Sequence, residues 1–302
     1  MEYTWLIIAI LSYFAFALAS LGDKIVLGQS PRPKAFTFFV GVFNVLAIFA
    51  IPFVDFAAPS GATIAWIILD AIIYIFGLYG MFSALEKFDV SRVVPAIGAT
   101  QPIFIFALAW LFWGPQILGI RELAAFSLLL IGTVLISLNR TGDLFTKESL
   151  KISLITALLF SLDFVFSKFV YLDMPFWQGF IWIRVASFVF ALCLLFNKSF
   201  YADVFGKVKK TKTSVGLLFV LFQGAGGIAT ILQSFAISLA PIAFLAIINA
   251  LRGVQYVFLF GFSIICTIFI PKILKEDISK GAIIQKVLAI LVIVFGLAIL
   301  FY

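Results

Sequence analysis

Residues 64–85 read IAWIILDAIIYIFGLYGMFSAL, an apolar run interrupted by a single charge, Asp70. A helix crosses the hydrocarbon core of a bilayer in about 20 mostly apolar residues, so this run predicts a transmembrane helix. Comparable runs lie at 5–23, 36–54, 93–113, 122–139, 152–171, 177–197, 215–237, 242–269 and 282–301, making ten in all. The 302-residue chain is 64% hydrophobic with a mean hydropathy of +1.21, against roughly 45–50% apolar residues in soluble domains. An aqueous fold of this length cannot hide so much apolar surface, whereas lipid takes the place of a core. The longest polar stretch, 197–214, is too short to fold alone. The expectation is an all-α integral membrane protein whose ten transmembrane helices form one membrane domain. Glu2 is the only charge ahead of Trp5, and Asp23 and Lys24 follow the first run. That run therefore reads as an uncleaved helix, not a signal peptide.

The formal charge of +7 sits mainly in the links between runs, the pattern of orientation signals and not of a nucleic-acid surface. The odd-numbered links carry Lys24, Arg32, Lys34, Lys87, Arg92, Arg140, Lys147, Lys151, Lys198, Lys207, Lys209, Lys210, Lys212, Lys272, Lys275 and Lys280. The even-numbered links and both tails carry only Arg121. The positive-inside rule puts the odd links in the cytoplasm and both termini outside.

An internal repeat divides the chain into 1–142 and 143–302. Residues 9–49 align with 153–193 at a shift of 144, which superposes Lys24 on Lys168, Pro31 on Pro175 and Phe36 on Phe180. In the fourth and ninth runs, Gln101-Pro-Ile-Phe104-Ile-Phe106 matches Gln255-Tyr-Val-Phe258-Leu-Phe260 at a shift of 154. The fifth and tenth runs align around Gly132 and Gly296. Each half has an odd number of helices, so the second half is inverted relative to the first. Two inverted five-helix repeats are an architecture from which alternating access arises in carriers.

Charges inside apolar runs cost about 2.5–3.5 kcal/mol each at a helix centre, so they mark cavities or partners. Five such charges are Asp70, Asp163, Lys168, Arg184 and Arg252. Asp163 and Arg252 are expected deepest, with Asp70, Lys168 and Arg184 nearer helix ends, where snorkelling lowers the cost. Steps of three and four group Ser153, Thr156, Phe160, Asp163 and Ser167 on one helix face. The same spacing groups Asn249, Arg252, Tyr256 and Ser263, then Trp66, Asp70, Tyr74 and Gly77, and also Gln223, Gly227, Thr230 and Ser234. The first run carries Tyr13, Ala17, Ser20 and Lys24 on one face. A shared, partly hydrated pocket satisfies all of these stripes most simply. Candidate substrate or coupling residues are Asp163, Arg252, Arg184, Tyr256, Asn249, Gln255 and Gln101. The alternative makes Asp163 a structural counter-ion of Arg184 or Arg252, and makes Gln101 and Gln255 interhelical hydrogen-bond donors. The stretch from Gln223 to Gly227 reads as a close-packing surface, and Pro95 and Pro102 as kinks in the fourth helix.

Cys193 and Cys266 read as two buried thiols, and histidine is absent. The commonest general base and metal ligand is thus missing, and no HExxH, GxSxG, Walker or EF-hand spacing occurs. No catalysis, cofactor or metal is expected. Uphill transport without a nucleotide site requires a gradient.

With these features on the page, the chain resembles the drug/metabolite transporter superfamily, in its EamA-like branch. The carriers of the resemblance are the opening of the second half, Ala157-Leu-Leu-Phe-Ser-Leu-Asp-Phe-Val-Phe-Ser-Lys168, and the glycine-bearing last helix of each half. The resemblance implies a ten-helix fold with a central cavity between the halves and peripheral fifth and tenth helices. It also implies transport, often export, of amino acids, nucleobases, sugars or toxic metabolites. The chain departs from the family where many members carry an acid after the fourth helix of each half. Here the first half reads Trp113-Gly-Pro115 with Glu122 arriving late, and Glu276 is a looser match. Small multidrug relatives hold cations on a first-helix carboxylate, whereas this first run offers Ser12 and Tyr13, with Asp163 the inherited-looking candidate.

The sequence thus predicts a secondary carrier in the cytoplasmic membrane, moving a small metabolite with a coupling proton or ion. Two acids against three bases among those five charges favour a carboxylate or phosphate near Arg252 or Arg184. Rival readings are efflux of hydrophobic drugs, flipping of a lipid-linked intermediate, and a non-transporting membrane enzyme or scaffold.

Overall fold

The computed structural model describes residues 3–26, 33–88, 90–115, 118–137, 146–206, 213–269 and 280–301. The described residues contain no strand, and each of the ten apolar runs is helical. The helices are α1 (Thr4–Val26), α2 (Pro33–Phe43, continuing as the tighter turn Asn44–Phe53), α3 (Gly61–Lys87), α4 (Val90–Trp113), α5 (Ile120–Ser137) and α6 (Lys147–Asp173). They continue with α7 (Phe176–Cys193), α8 (Lys198–Phe205), α9 (Thr213–Leu239), α10 (Leu245–Ala250), α11 (Arg252–Phe269) and α12 (Lys280–Phe301). Among the described residues, seven segments are long and apolar enough to cross a membrane: Pro33–Phe53, Gly61–Lys87, Val93–Trp113, Lys147–Asp173, Phe176–Phe196, Ile242–Ile265 and Ile283–Leu300. Thr4–Ser20 and Gly224–Leu239 are shorter apolar helices. Large apolar side chains such as Ile284, Leu288, Leu291 and Phe295 stand exposed along α12. Water would penalise such a surface, and lipid solvates it.

The helix starts follow capping chemistry, because the first turn leaves backbone N–H groups without intrahelical acceptors. Ser60 Oγ accepts from the Thr63 N–H at 3.3 Å, and Thr146 Oγ1 accepts from the Ser149 N–H at 3.2 Å.

The chain forms two compact units, each drawing segments from both sides of residue 142. Unit 1 comprises 1–29, 113–144 and 210–302, and unit 2 comprises 30–112 and 145–209. In unit 1, α1 packs along α9 and against α11, while α5 packs along α12 and against α11. In unit 2, α3 packs along α6 and α7, and α7 also meets α2.

Lipid offers no hydrophobic drive for helices to pair, so small residues and interhelical hydrogen bonds hold the contacts. In unit 1, a Cβ on Gly132 would meet Ile293 at 2.5 Å and the Ala289 carbonyl at 3.3 Å. One on Gly296 would meet Leu129 at 3.2 Å and the Ala125 carbonyl at 3.3 Å. Each of α5 and α12 therefore presents a glycine to the backbone of the other. In unit 2, α3 and α6 run antiparallel. Thr63 and Ser60 bond Asp173 at one end, Gly77 faces Phe160 midway, and Lys87 pairs with Glu148 at 3.6 Å at the other end. Trp66 stacks on Phe169 at 4.3 Å within that register.

Four expectations need correction. Asp70 is 0% exposed in the body of α3, not at a snorkelling end, and Arg184 is buried halfway along α7. Cys193 is exposed on the flank of α7, where an apolar helix surface meets lipid, instead of buried. Among the described residues nothing approaches a Cβ on Gly224 or Gly227, so these two glycines of the stretch are not in close helix contact there. The run 242–269, expected as one helix, changes geometry at Leu251 between α10 and α11. The expected polar stretch 197–214 begins with the short helix α8, and α4 continues through Pro95 and Pro102. Readings that fall on Pro31, Arg32, Arg140, Lys207, Lys209, Lys210, Lys212, Lys272, Lys275 and Glu276, on the boundary at 142, and on the side chains of Asp23, Lys24, Arg92, Gln223, Cys266 and Lys280, lie outside the described residues.

Candidate functional site

The irregular turn at Leu251 organises the polar groups of unit 1. Leu251 has ψ −4°, and its carbonyl takes the Val254 N–H at 2.8 Å, a tighter bond than the regular ladder makes. The Ala250 carbonyl thereby loses its usual Val254 donor. Thr133 Oγ1 of α5 donates to it at 2.9 Å. The Ile248 carbonyl receives the Tyr13 hydroxyl of α1 at 2.8 Å, and that hydroxyl accepts from Gln233 Nε2 of α9 at 3.2 Å. Hydroxyls from neighbouring helices therefore satisfy the carbonyls at the turn, the usual condition for irregular backbone in an apolar interior. Gly253 allows the approach, because a Cβ there would collide with Thr133 Oγ1 and meet Ile293 at 2.9 Å.

Asn249, Arg252 and Tyr256 project from this turn at helical spacing. Asn249 is 0% exposed, and among the described residues neither its amide nitrogen nor its amide oxygen has a hydrogen-bond partner. The buried Tyr256 hydroxyl is equally unsatisfied. Arg252 acts electrostatically on both the Tyr13 and Tyr256 hydroxyls. Buried groups left without partners cost about 1–3 kcal/mol each, and such a set is complementary to a polar ligand. Gln255 points elsewhere and donates to Ser20 Oγ at 3.0 Å, the interhelical role.

Unit 2 gathers Asp70 from α3, Asp163 from α6 and Arg184 from α7. Arg184 acts electrostatically on both carboxylates. Its Nη1 donates to Asn44 Oδ1 at 3.3 Å, and its guanidinium lies 5.2 Å from the ring centres of both Tyr74 and Phe180. Among the described residues neither carboxylate oxygen of Asp70 makes a hydrogen bond of normal geometry, although the Ser167 backbone lies close to it. Gln101 is also in unit 2. Its carbonyl accepts from Ser161 Oγ at 3.0 Å, while its side-chain oxygen is buried without a partner.

The candidates named from the sequence therefore sort into two groups. Arg252, Tyr256 and Asn249 lie in unit 1, where Arg252 acts on the Tyr256 hydroxyl, and Asp163 and Arg184 come together in unit 2. Sequence reasoning passed over Asp70 as a site residue although its charge marked it, because its run seemed to start nearer to it. It also missed Asn44 and Thr133, small polar residues in apolar runs whose signal is weak alone. Lys286, within the tenth run, lies 4.3 Å over the Phe260 ring.

No family model matches the chain, and no curated protein matches it in sequence. A solved structure described only as "Crystal structure of protein" shares the fold, with a TM-score of 0.68 over 99% of this chain and 96% of that one at 17% identity. A likeness at that identity concerns the fold alone.

Proposed function

We propose that the chain is a secondary carrier that crosses the cytoplasmic membrane ten times and moves a small metabolite by alternating access. It resembles the drug/metabolite transporters in the residues given above. Both termini lie outside, and the basic links face the cytoplasm. The observation that carries the reading is the Asn249–Arg252–Tyr256 set, in which an arginine and unsatisfied polar groups surround an irregular turn inside an apolar helix bundle. Discontinuous helices with such groups hold substrates in carriers. The proposed ligand is a small metabolite whose carboxylate or phosphate meets Arg252.

Two packing patterns support the inverted repeat. Gly132 against Ala289, and Gly296 against Ala125, are one contact made twice under the alignment of the fifth and tenth runs. The pairing of α1 with α9 in unit 1 likewise has its counterpart in the pairing of α6 with α3 in unit 2.

The test begins with melting curves of purified protein across amino acids, nucleobases, sugars and organic acids, followed by flux of the best stabiliser into sealed vesicles. The expected result is a carboxylate- or phosphate-bearing stabiliser that also crosses the vesicle membrane, with both effects lost in Arg252→Ala. A stabiliser that never crosses contradicts the carrier reading, and a broad set of hydrophobic stabilisers favours drug efflux instead.

A further inference from the structure

The acidic cluster of unit 2 holds two carboxylates and one guanidinium. Asp70 is fully enclosed. Around it stand Tyr74 on its own helix, Asp163 and the Ser167 backbone on α6, and Arg184 on α7. Arg184 is held by Asn44 and by the faces of Tyr74 and Phe180, so its position is fixed by groups other than the carboxylates. Lys168 lies further along α6 and has interactions of its own. Two negative charges share one positive charge in an interior that penalises net charge. Beyond the nearby Ser167 backbone, the described residues offer the Asp70 oxygens no hydrogen-bond donor of normal geometry. A carboxylate buried this deeply with so little hydrogen bonding is chemically suited to a cation.

We propose that the Asp70–Asp163–Arg184 cluster binds one monovalent cation, a proton or an alkali ion, and that this is the coupling ion of the carrier proposed above. A proton binds by forming one O–H bond on a carboxylate, and no other bond breaks. An alkali ion binds by direct contact with carboxylate oxygens. In either case the occupied cluster is neutral. Rearrangement of α3, α6 and α7 through apolar surroundings then costs less in the loaded state than in the empty one, which is the energetic basis of coupling. The ion's role rests on the carrier reading, but its binding does not.

The test uses purified full-length protein with no added solute. Melting temperature is followed in two series, one varying pH in choline buffer and the other replacing choline with sodium at fixed pH and ionic strength. For wild type, the expected result is a rise of about 2–4 °C per tenfold increase of the bound ion. A response to pH alone identifies the proton, and a response to sodium alone identifies an alkali ion. Asp70→Asn flattens the response, because an amide adds no negative charge for the cation to neutralise. If that variant yields no folded protein, Asp163→Asn is put through the same two series. Wild type indifferent to both ions, or a variant that keeps the full wild-type response, overturns the proposal. A missing ion response alongside Arg252-dependent ligand stabilisation rejects only the cation site. The reverse result rejects the solute site and leaves the cation site standing.

Discussion

Unit 1 surrounds its arginine with neutral groups, whereas unit 2 sets its arginine beside two carboxylates. Arg252 acts on the Tyr13 and Tyr256 hydroxyls beside a turn where the helix ladder is irregular and whose Asn249 amide has no partner among the described residues. Arg184 lies among aromatic faces and Asn44, within electrostatic reach of Asp70 and Asp163. The supporting helices are comparable, with a long helix pair in each unit, α1 with α9 and α6 with α3. The difference therefore lies in charge balance and not in framework. A cationic site with spare donors suits an anionic ligand, and a site with an excess carboxylate suits a cation.

Removing each arginine in turn breaks the comparison most sharply. Arg184→Ala leaves Asp70 and Asp163 buried without their counter-ion and is expected to cost about 3–5 kcal/mol, read as a large drop in melting temperature. The matching change Arg252→Ala strands no carboxylate among the described residues of its cluster and is expected to leave stability unchanged or raised. Equal losses in the two variants contradict the difference in charge balance.

The next effects sharpen the account of unit 1. Gly253→Ala forces a methyl group against Thr133 and Ile293, with an expected cost of about 1–3 kcal/mol, measured by thermal unfolding in detergent. Thr133→Val removes the hydroxyl that satisfies the Ala250 carbonyl, for about 0.6–1.7 kcal/mol, and is expected to weaken ligand stabilisation because the turn carrying Arg252 loses support. Thr100→Val serves as its control, since Thr100 bonds only carbonyls of its own helix. The smallest effect belongs to Lys87→Ala. The Lys87–Glu148 pair is 55% and 67% exposed, so its loss is expected to change stability by less than about 1 kcal/mol.

Much of the fold was legible because apolar length is a strong one-dimensional signal. All ten runs are helical over their described residues. The interruption at Leu251 was not legible. It depends on Thr133 and Tyr13 donating to carbonyls far away in sequence, and no local residue such as proline announces it. The sorting of site residues was only half legible. Helical spacing pairs Arg252 with Tyr256, on whose hydroxyl it acts, but spacing along one helix says nothing of which other helix packs against it. Asp163 and Arg252, read together from the sequence, belong to different units, and the charge acting on Asp163 is Arg184. Asp70 was undervalued for a related reason: depth within a bundle is set by neighbours, not by position within a run.

The central claim is that Arg252 holds the anionic end of a transported metabolite while the cluster around Arg184 does not. It is tested most directly by ligand-induced melting shifts of wild type, Arg252→Ala and Asp163→Asn, measured side by side with the stabilising metabolite found in the screen. The account predicts that the shift disappears in Arg252→Ala and persists in Asp163→Asn. A shift that survives loss of Arg252 and vanishes with Asp163 contradicts it and moves the solute site to unit 2.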